Sequence, residues 1–216
     1  MFRRGAGHTS APFWKGNAGL SDCGFNHQRQ IIMELIDWSQ LRLEDRIRRG
    51  LRVLFVGINP GVRSAITGHH FAGYSNRFWK LLSDSGLAPA RVTYQDDVRL
   101  PEWGLGITNL IARPSPGIND LRPSEYLEGW QALDRKIRQY RPKVVALVGV
   151  TLYRALLPIL KCPPSEEVIG PQRVKIHGAD LFVLPNPSGR NANYTYDQML
   201  KAFKRLRNIK DRACTR

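Results

Sequence analysis

Four short apolar runs punctuate the chain, each rich in β-branched or aromatic residues and each closed by a turn-forming residue. Val53-Leu54-Phe55-Val56 lies between Arg52 and Gly57. Leu105–Leu110 ends shortly before Arg113-Pro114, Val144–Val148 ends at Gly149, and Leu181–Leu184 runs into Pro185. Unbroken apolar runs such as Val53–Val56 and Val144–Val148 are the pattern of strands buried on both faces, as in parallel sheets, and Leu105–Leu110 reads as a further strand. The intervening segments have helical spacing. Phe78, Leu81 and Leu82 share one face of residues 74–86, which stop at Gly86, and further helices are predicted over Ser124–Arg138, from Thr151, and over Tyr196–Ile209. Strand and helix alternate, so the pattern predicts an α/β fold: a three-layer α/β/α sandwich around a central, mainly parallel sheet.

Ahead of the first strand the pattern weakens. Residues 1–26 are rich in Gly, Ser, Pro and His without periodicity and predict a disordered extension. In residues 27–50, Ile31, Ile32, Leu35, Ile36 and Trp38 recur at roughly helical spacing and a charged stretch follows, which predicts one or two amphipathic helices stopped by Gly50. Residues 51–209 then form the folded domain, and 210–216 a basic tail.

Charge adds a partner to this picture. The 216 residues hold 33 Lys and Arg against 18 Asp and Glu, a net charge of +15. Residues 1–50 contribute eight basic and five acidic side chains, so +12 is carried by residues 51–216. A basic domain favours a polyanion such as nucleic acid, although the run from Lys201 to Arg216 is also what a solvated helix face looks like. The longest apolar stretch, Val144–Val150, falls far short of the ~18 residues of a membrane span. Cys23, Cys162 and Cys214 can form neither a disulfide framework nor a four-cysteine metal or iron–sulfur site. With no secretory pattern after Met1, the expected compartment is the cytoplasm.

Open parallel sheets bind ligands beyond the carboxyl ends of their strands. The segments there are rich in Asn, Pro, Gly and Ser. Gly57-Ile58-Asn59-Pro60-Gly61 makes a stiff turn that brings backbone N–H groups and an amide close to a ligand, or simply ends a strand; its glycine spacing is not that of a phosphate loop. Pro185-Asn186-Pro187-Ser188-Gly189-Arg190-Asn191 is a stiffened loop carrying a long cation, suited to phosphate or to insertion into a duplex. His69-His70 lacks acidic or cysteine partners at ligand spacing, so no metal is expected.

In order along the chain, Gly57–Gly61, Gly68-His69-His70-Phe71, Asn76-Arg77-Phe78-Trp79, Gly106-Ile107-Thr108-Asn109 with Arg113-Pro114, and Asn186-Pro187-Ser188-Gly189 resemble the mismatch-specific uracil/thymine DNA glycosylases of the uracil-DNA glycosylase superfamily. The resemblance runs from about Leu51 to Phe203. It implies the superfamily's sandwich fold and a monofunctional enzyme of base excision repair that hydrolyses the N-glycosidic bond of uracil in DNA, especially in U·G mismatches. It also implies that neither metal nor organic cofactor takes part. The partner would be double-stranded DNA containing uracil or a mismatched base, met by a monomer without a membrane.

The same resemblance assigns parts. Asn59 matches the residue that positions the attacking water; an amide oxygen accepts a hydrogen bond but is no general base at neutral pH. Phe71 matches the aromatic that stacks on the extruded base, and Asn109 a uracil-binding amide. The N–H groups of Ile58 and Phe71 suit the uracil oxygens as charge develops on them. Ser64 stands where a thymine methyl would have to fit, so uracil is expected to be preferred. Asp120 matches an acidic position and is either a carboxylate that assists the water or a cap on the helix beginning near Pro123. Asp96 and Asp97 read as surface residues. Arg190 matches the wedge that fills the gap in the duplex, with Ser188, Gly189 and Asn191 at the DNA backbone. Rival readings are a catalytically weak lesion-binding module of the same fold and a hydrolase of free nucleotides.

Overall fold

A computed structural model describes residues 37–163 and 166–212. The chain divides into two units, Met1–Ile36 and Asp37–Arg216, and the described elements all belong to the second. The expected extension over 1–26, the apolar positions from Ile31 to Ile36, Cys23, Cys214 and residues 213–216 of the expected tail lie outside the described residues.

Five strands form one sheet in the order β2-β1-β3-β5-β4: β1 Val53–Gly57, β2 Leu105–Asn109, β3 Val144–Val148, β4 Gly170–Ile176 and β5 Ala179–Leu184. All neighbours are parallel except β4 and β5. Successive side chains of a strand point to opposite faces, and here both faces are apolar. Phe55, Ile107, Ala146 and Phe182 face a layer made by α2 (Phe78–Asp84) and α5 (Tyr196–Arg212). Leu54, Val56, Val145, Leu147 and Val183 face a layer made by α3 (Pro123–Tyr140) and α4 (Val150–Leu160). The three-layer sandwich follows from that alternation. A short helix, α1 (Val62–Thr67), follows the Gly57–Gly61 turn, and a 3-10 segment spans Tyr94–Trp103. No described helix is long and apolar enough to cross a membrane.

Three expectations are corrected. Residues 41–49 are not helical: after a single 3-10 turn at Trp38–Gln40 the chain runs extended, and Arg46 exchanges backbone hydrogen bonds of 2.9 Å with Ile107 in antiparallel fashion. The reason is that β2 ends the sheet and its outer edge needs partners. Asp45 reinforces the tie by receiving the Thr108 hydroxyl and pairing with Lys136. Secondly, α2 starts at Phe78 rather than Tyr74, because Arg77 is held by the loop after β5. Thirdly, α5 continues to Arg212, so residues 210–212 belong to the helix and not to a tail. β4 was not predicted. Three of the four residues of its Gln-Arg-Val-Lys core are polar, as befits an edge strand, and it joins β5 through His177 and Gly178, both at positive φ.

Candidate active site

The carboxyl ends of β1 and β2 lie side by side, with Gly57 in register with Asn109. Beyond the strands the Leu110 and Ile111 N–H groups donate to the Gly57 and Ile58 carbonyls at 2.8 Å, so the two loops leave the sheet as one body. Glycine is required at 57 because a Cβ there would stand 2.5 Å from Asn109 Oδ1 and 3.3 Å from the Phe71 ring. The amide oxygen and the ring converge over that missing side chain. Phe71 and Asn109 thereby meet at the residue that immediately precedes Ile58 and Asn59.

Asn59 is half-buried and its amide has a single orientation. Nδ2 donates to the Pro60 carbonyl at 3.1 Å, the Arg113 carbonyl at 3.3 Å and Ser115 Oγ at 2.8 Å. The buried Ser115 hydroxyl spends its one proton on the Gly117 carbonyl at 2.6 Å, so toward Asn59 it can only accept. With three acceptors on the nitrogen side, Oδ1 meets no protein donor among the described residues. An amide oxygen in that state can accept a hydrogen bond from a ligand or a water.

Phe71 has φ +51°, an unfavourable backbone for a bulky residue, and both neighbours enforce it. On one side the His70 N–H donates to Asp97 Oδ2 at 2.9 Å. On the other the Ala72 N–H donates to Ser64 Oγ at 3.0 Å. Its ring stacks on Phe78 with centroids 4.4 Å apart and planes at 23°, so the half-buried ring is a backed platform. Ser64 is buried, and its hydroxyl acts here as the anchor of Ala72.

Asp97 corrects the sequence reading. It is fully buried, and besides the His70 N–H it meets His69 Nδ1 at 2.9 Å and Arg46 Nε at 3.4 Å. The loop that presents Phe71 is tied to this carboxylate. A signal existed in the sequence: Asp97 stands three residues before Leu100, the other buried position of the 3-10 segment.

His70 is buried and its Nε2 donates to the Glu44 carbonyl at 2.9 Å, which leaves Nδ1 as an acceptor 3.5 Å from the Asn109 NH2. Desolvation holds its pKa below the ordinary 6.5, so the ring is neutral. A lowered folded-state value means that the unfolded chain takes up the proton first as pH falls. The stability His70 contributes is therefore full above about pH 6.5 and is lost as pH falls toward the folded-state pKa. Melting temperatures of the wild type and His70→Gln from pH 8 to 5 are expected to converge toward the acid end; parallel curves would contradict this.

Asp120 does not touch Asn59. Its side chain is exposed, and Oδ2 accepts the Gly117 N–H at 2.9 Å, closing the 3-10 turn Ile118–Asp120. Nor does it cap the helix at Pro123, where Glu125 accepts the Arg122 N–H at 2.8 Å. Glu125 also takes a two-pronged contact from Arg113, both at 2.9 Å, and these donors hold its carboxyl at a pKa of about 2. Asp120 thus belongs to the turn that carries Ser115, one step removed from Asn59.

The loop after β5 packs against residues 75–77. Arg77 donates its backbone N–H to the Pro187 carbonyl at 2.9 Å and Nη2 to the Ser188 and Asn191 carbonyls at 2.9 and 3.2 Å. Within the loop, Asn186 Oδ1 receives the Ser188 N–H, and Asn191 Nδ2 donates to the Asn186 carbonyl at 2.7 Å. Gly189 and Arg190 are exposed at its tip, and the Arg190 side chain has no partner among the described residues. A rigid loop therefore presents a free cation beside the pocket.

Comparisons with known proteins give the chain a family and its fold a counterpart. The family model of the uracil DNA glycosylase superfamily matches residues 45–207, starting slightly earlier and ending slightly later than the motifs alone suggested. A G/U mismatch-specific uracil DNA glycosylase of Schizosaccharomyces pombe is 43% identical over 147 residues, which cover 66% of this chain and 45% of that protein. The chain thus spans about half the length of this curated relative. A solution NMR structure of a candidate uracil DNA glycosylase from Methanosarcina acetivorans shares the fold, with a TM-score of 0.53, 13% identity, and coverage of 79% of this chain and 98% of that one.

Proposed function

This chain belongs to the uracil DNA glycosylase superfamily, and on that footing we propose that it is a monofunctional DNA glycosylase that hydrolyses the N-glycosidic bond of uracil, above all opposite guanine. The observation that carries the reading is the single orientation of Asn59, whose Nδ2 is taken up by three acceptors and which follows closely on Gly57, where Phe71 and Asn109 converge. The similarity to the S. pombe enzyme supports the choice of uracil and of the U·G mismatch.

In this reading the target nucleotide leaves the stack, most readily from a weak mismatch, and its base lies on Phe71. Asn109 reads the pyrimidine edge. The C1′–N1 bond breaks with its electron pair passing to uracil, and the N–H groups of Ile58 and Phe71 stabilise the oxygens that gain charge. Water held by Asn59 Oδ1 adds to C1′ and gives up a proton to solvent, and the departed uracil anion takes one proton from solvent, leaving an abasic sugar and free uracil. Ser64 narrows the pocket at the base's C5 side, so thymine is excised more slowly. Arg190 fills the gap and reaches the widowed guanine, while Ser188, Gly189 and Asn191 meet the strand. The protein acts as a monomer, and the positive charge surrounds this mouth.

Asp120 serves as a positioning residue that shapes the Ser115 turn. Asp120→Ala is expected to slow excision about tenfold, and Asp120→Asn, which keeps an oxygen for the Gly117 N–H, to restore most of the rate. A general base would leave both variants equally slow. The proposal as a whole is tested by incubating the purified protein with a U·G duplex and revealing abasic sites with alkali. Strand breaks at the uracil are expected; binding without breaks would favour the lesion-binding module.

A further inference from the structure

Beside the base pocket, and sharing Phe71 with it, lies an aromatic surface whose other residues the chemistry above does not use. Phe71, Tyr74, Trp79 and Tyr94 line a hollow of about 280 Å³ with Arg63 and Asn76. Tyr74 is 80% exposed, yet it is not a loose side chain: the Arg63 guanidinium lies 3.5 Å from its ring centroid. Arg63 is fixed in turn, since Nε donates to the Ala72 carbonyl at 2.6 Å and the Tyr94 ring lies 5.7 Å away. Among the described residues its partners are thus one carbonyl oxygen and two tyrosine rings, none of them anionic.

The place of this pair matters as much as its chemistry. Ser75 abuts the loop after β5 so closely that a Cβ on Gly189 would stand 2.4 Å from its own Cβ. Tyr74 therefore stands on the same rim as Arg190, one packed backbone away. Extruding a nucleotide leaves its neighbours in the strand each short of one stacking partner. A backed, exposed ring with an unneutralised guanidinium beside it offers a neighbour both a stacking surface and a phosphate contact.

We propose that Tyr74 and Arg63 form a nucleotide-stacking subsite that receives the nucleotide flanking the extruded uridine, its base on the Tyr74 ring and its phosphate on the terminal nitrogens of Arg63. The proposal rests on the uracil-excision reading. It names the flanking strand as a second partner of the site and accounts for an exposed tyrosine against a cation that lacks a carboxylate.

The test uses the full chain and a U·G duplex whose uridine carries a 2′-fluorine to block cleavage, with 2-aminopurine placed in turn at each flanking position. Wild type and Tyr74→Phe are expected to change the 2-aminopurine fluorescence at one flank. Tyr74→Ala is expected to lose that change and to bind about tenfold more weakly, at an unaltered melting temperature. Arg63→Gln is expected to lower the slope of log affinity against log salt by about one. Unchanged binding and fluorescence in Tyr74→Ala would overturn the stacking role, and an unchanged salt slope in Arg63→Gln the phosphate contact. Excision by the wild type on an ordinary U·G duplex is measured alongside: its absence would sink the uracil reading itself, whereas its presence with a silent Tyr74→Ala would remove only the subsite.

Discussion

Replacing Asn59 by Ala is expected to slow single-turnover excision of uracil from a U·G duplex by about 10²- to 10³-fold, with duplex affinity within about twofold of the wild type. The size of the effect follows from pre-organisation. Pro60, Arg113 and Ser115 orient the amide before substrate arrives, so no energy is spent turning it during the reaction. The small effect on affinity follows because Asn59 holds water and not DNA. Asn59→Asp is expected to remain well below the wild-type rate at neutral pH although it introduces a potential base. One of its oxygens must take the place of Nδ2 against the Pro60 and Arg113 carbonyls, and acceptors facing a carboxylate repel it. Single-turnover time courses decide both points, and a fully active Asn59→Ala protein would remove Asn59 from the reaction.

The central sheet is legible in the sequence because its parallel strands are buried on both faces, so that β1, β3 and the end of β5 are apolar runs. Val144–Val148 was placed to the residue. Legibility failed where tertiary contacts override local pattern. Residues 41–49 present mixed polar and apolar positions that suit a helix, but the unpaired edge of β2 draws them into extended structure through Arg46 and Asp45. β4 escaped notice because a strand that covers one edge needs few apolar residues.

The pocket followed the same rule. The Asn59 and Arg190 loops are marked by their places after β1 and β5, whereas Phe71 and Asn109 are singled out only by the family resemblance. What holds them was not visible. The Ser115 hydroxyl that orients Asn59 lies 56 positions away in sequence. Asp97, 27 positions from the His70 N–H it accepts, stands next to Asp96, whose partners Thr93 and Arg99 are local. Adjacent aspartates look alike in composition, and the packing makes one fully buried and the other half-buried.

Asp97→Ala is accordingly expected to destabilise the protein by about 3–5 kcal/mol, the range for removing one member of a buried charged network. Nothing would remain to receive the His70 N–H, His69 Nδ1 or Arg46 Nε, and all three lie away from bulk water to differing degrees. The positive φ at Phe71 would then be enforced from the Ala72 side alone. Asp97→Asn separates stability from charge. Its oxygen can keep the His70 N–H while its NH2 faces His69 Nδ1, which accepts in one ring tautomer, and Arg46 Nε, which is itself a donor. A loss of about 1–2 kcal/mol is expected for Asn, with excision assayed well below its melting temperature close to the wild-type rate. Denaturant titration gives the stabilities and single-turnover assays the rates. If Asp97→Ala were as stable as the wild type, the carboxylate would not be what fixes the Phe71 platform.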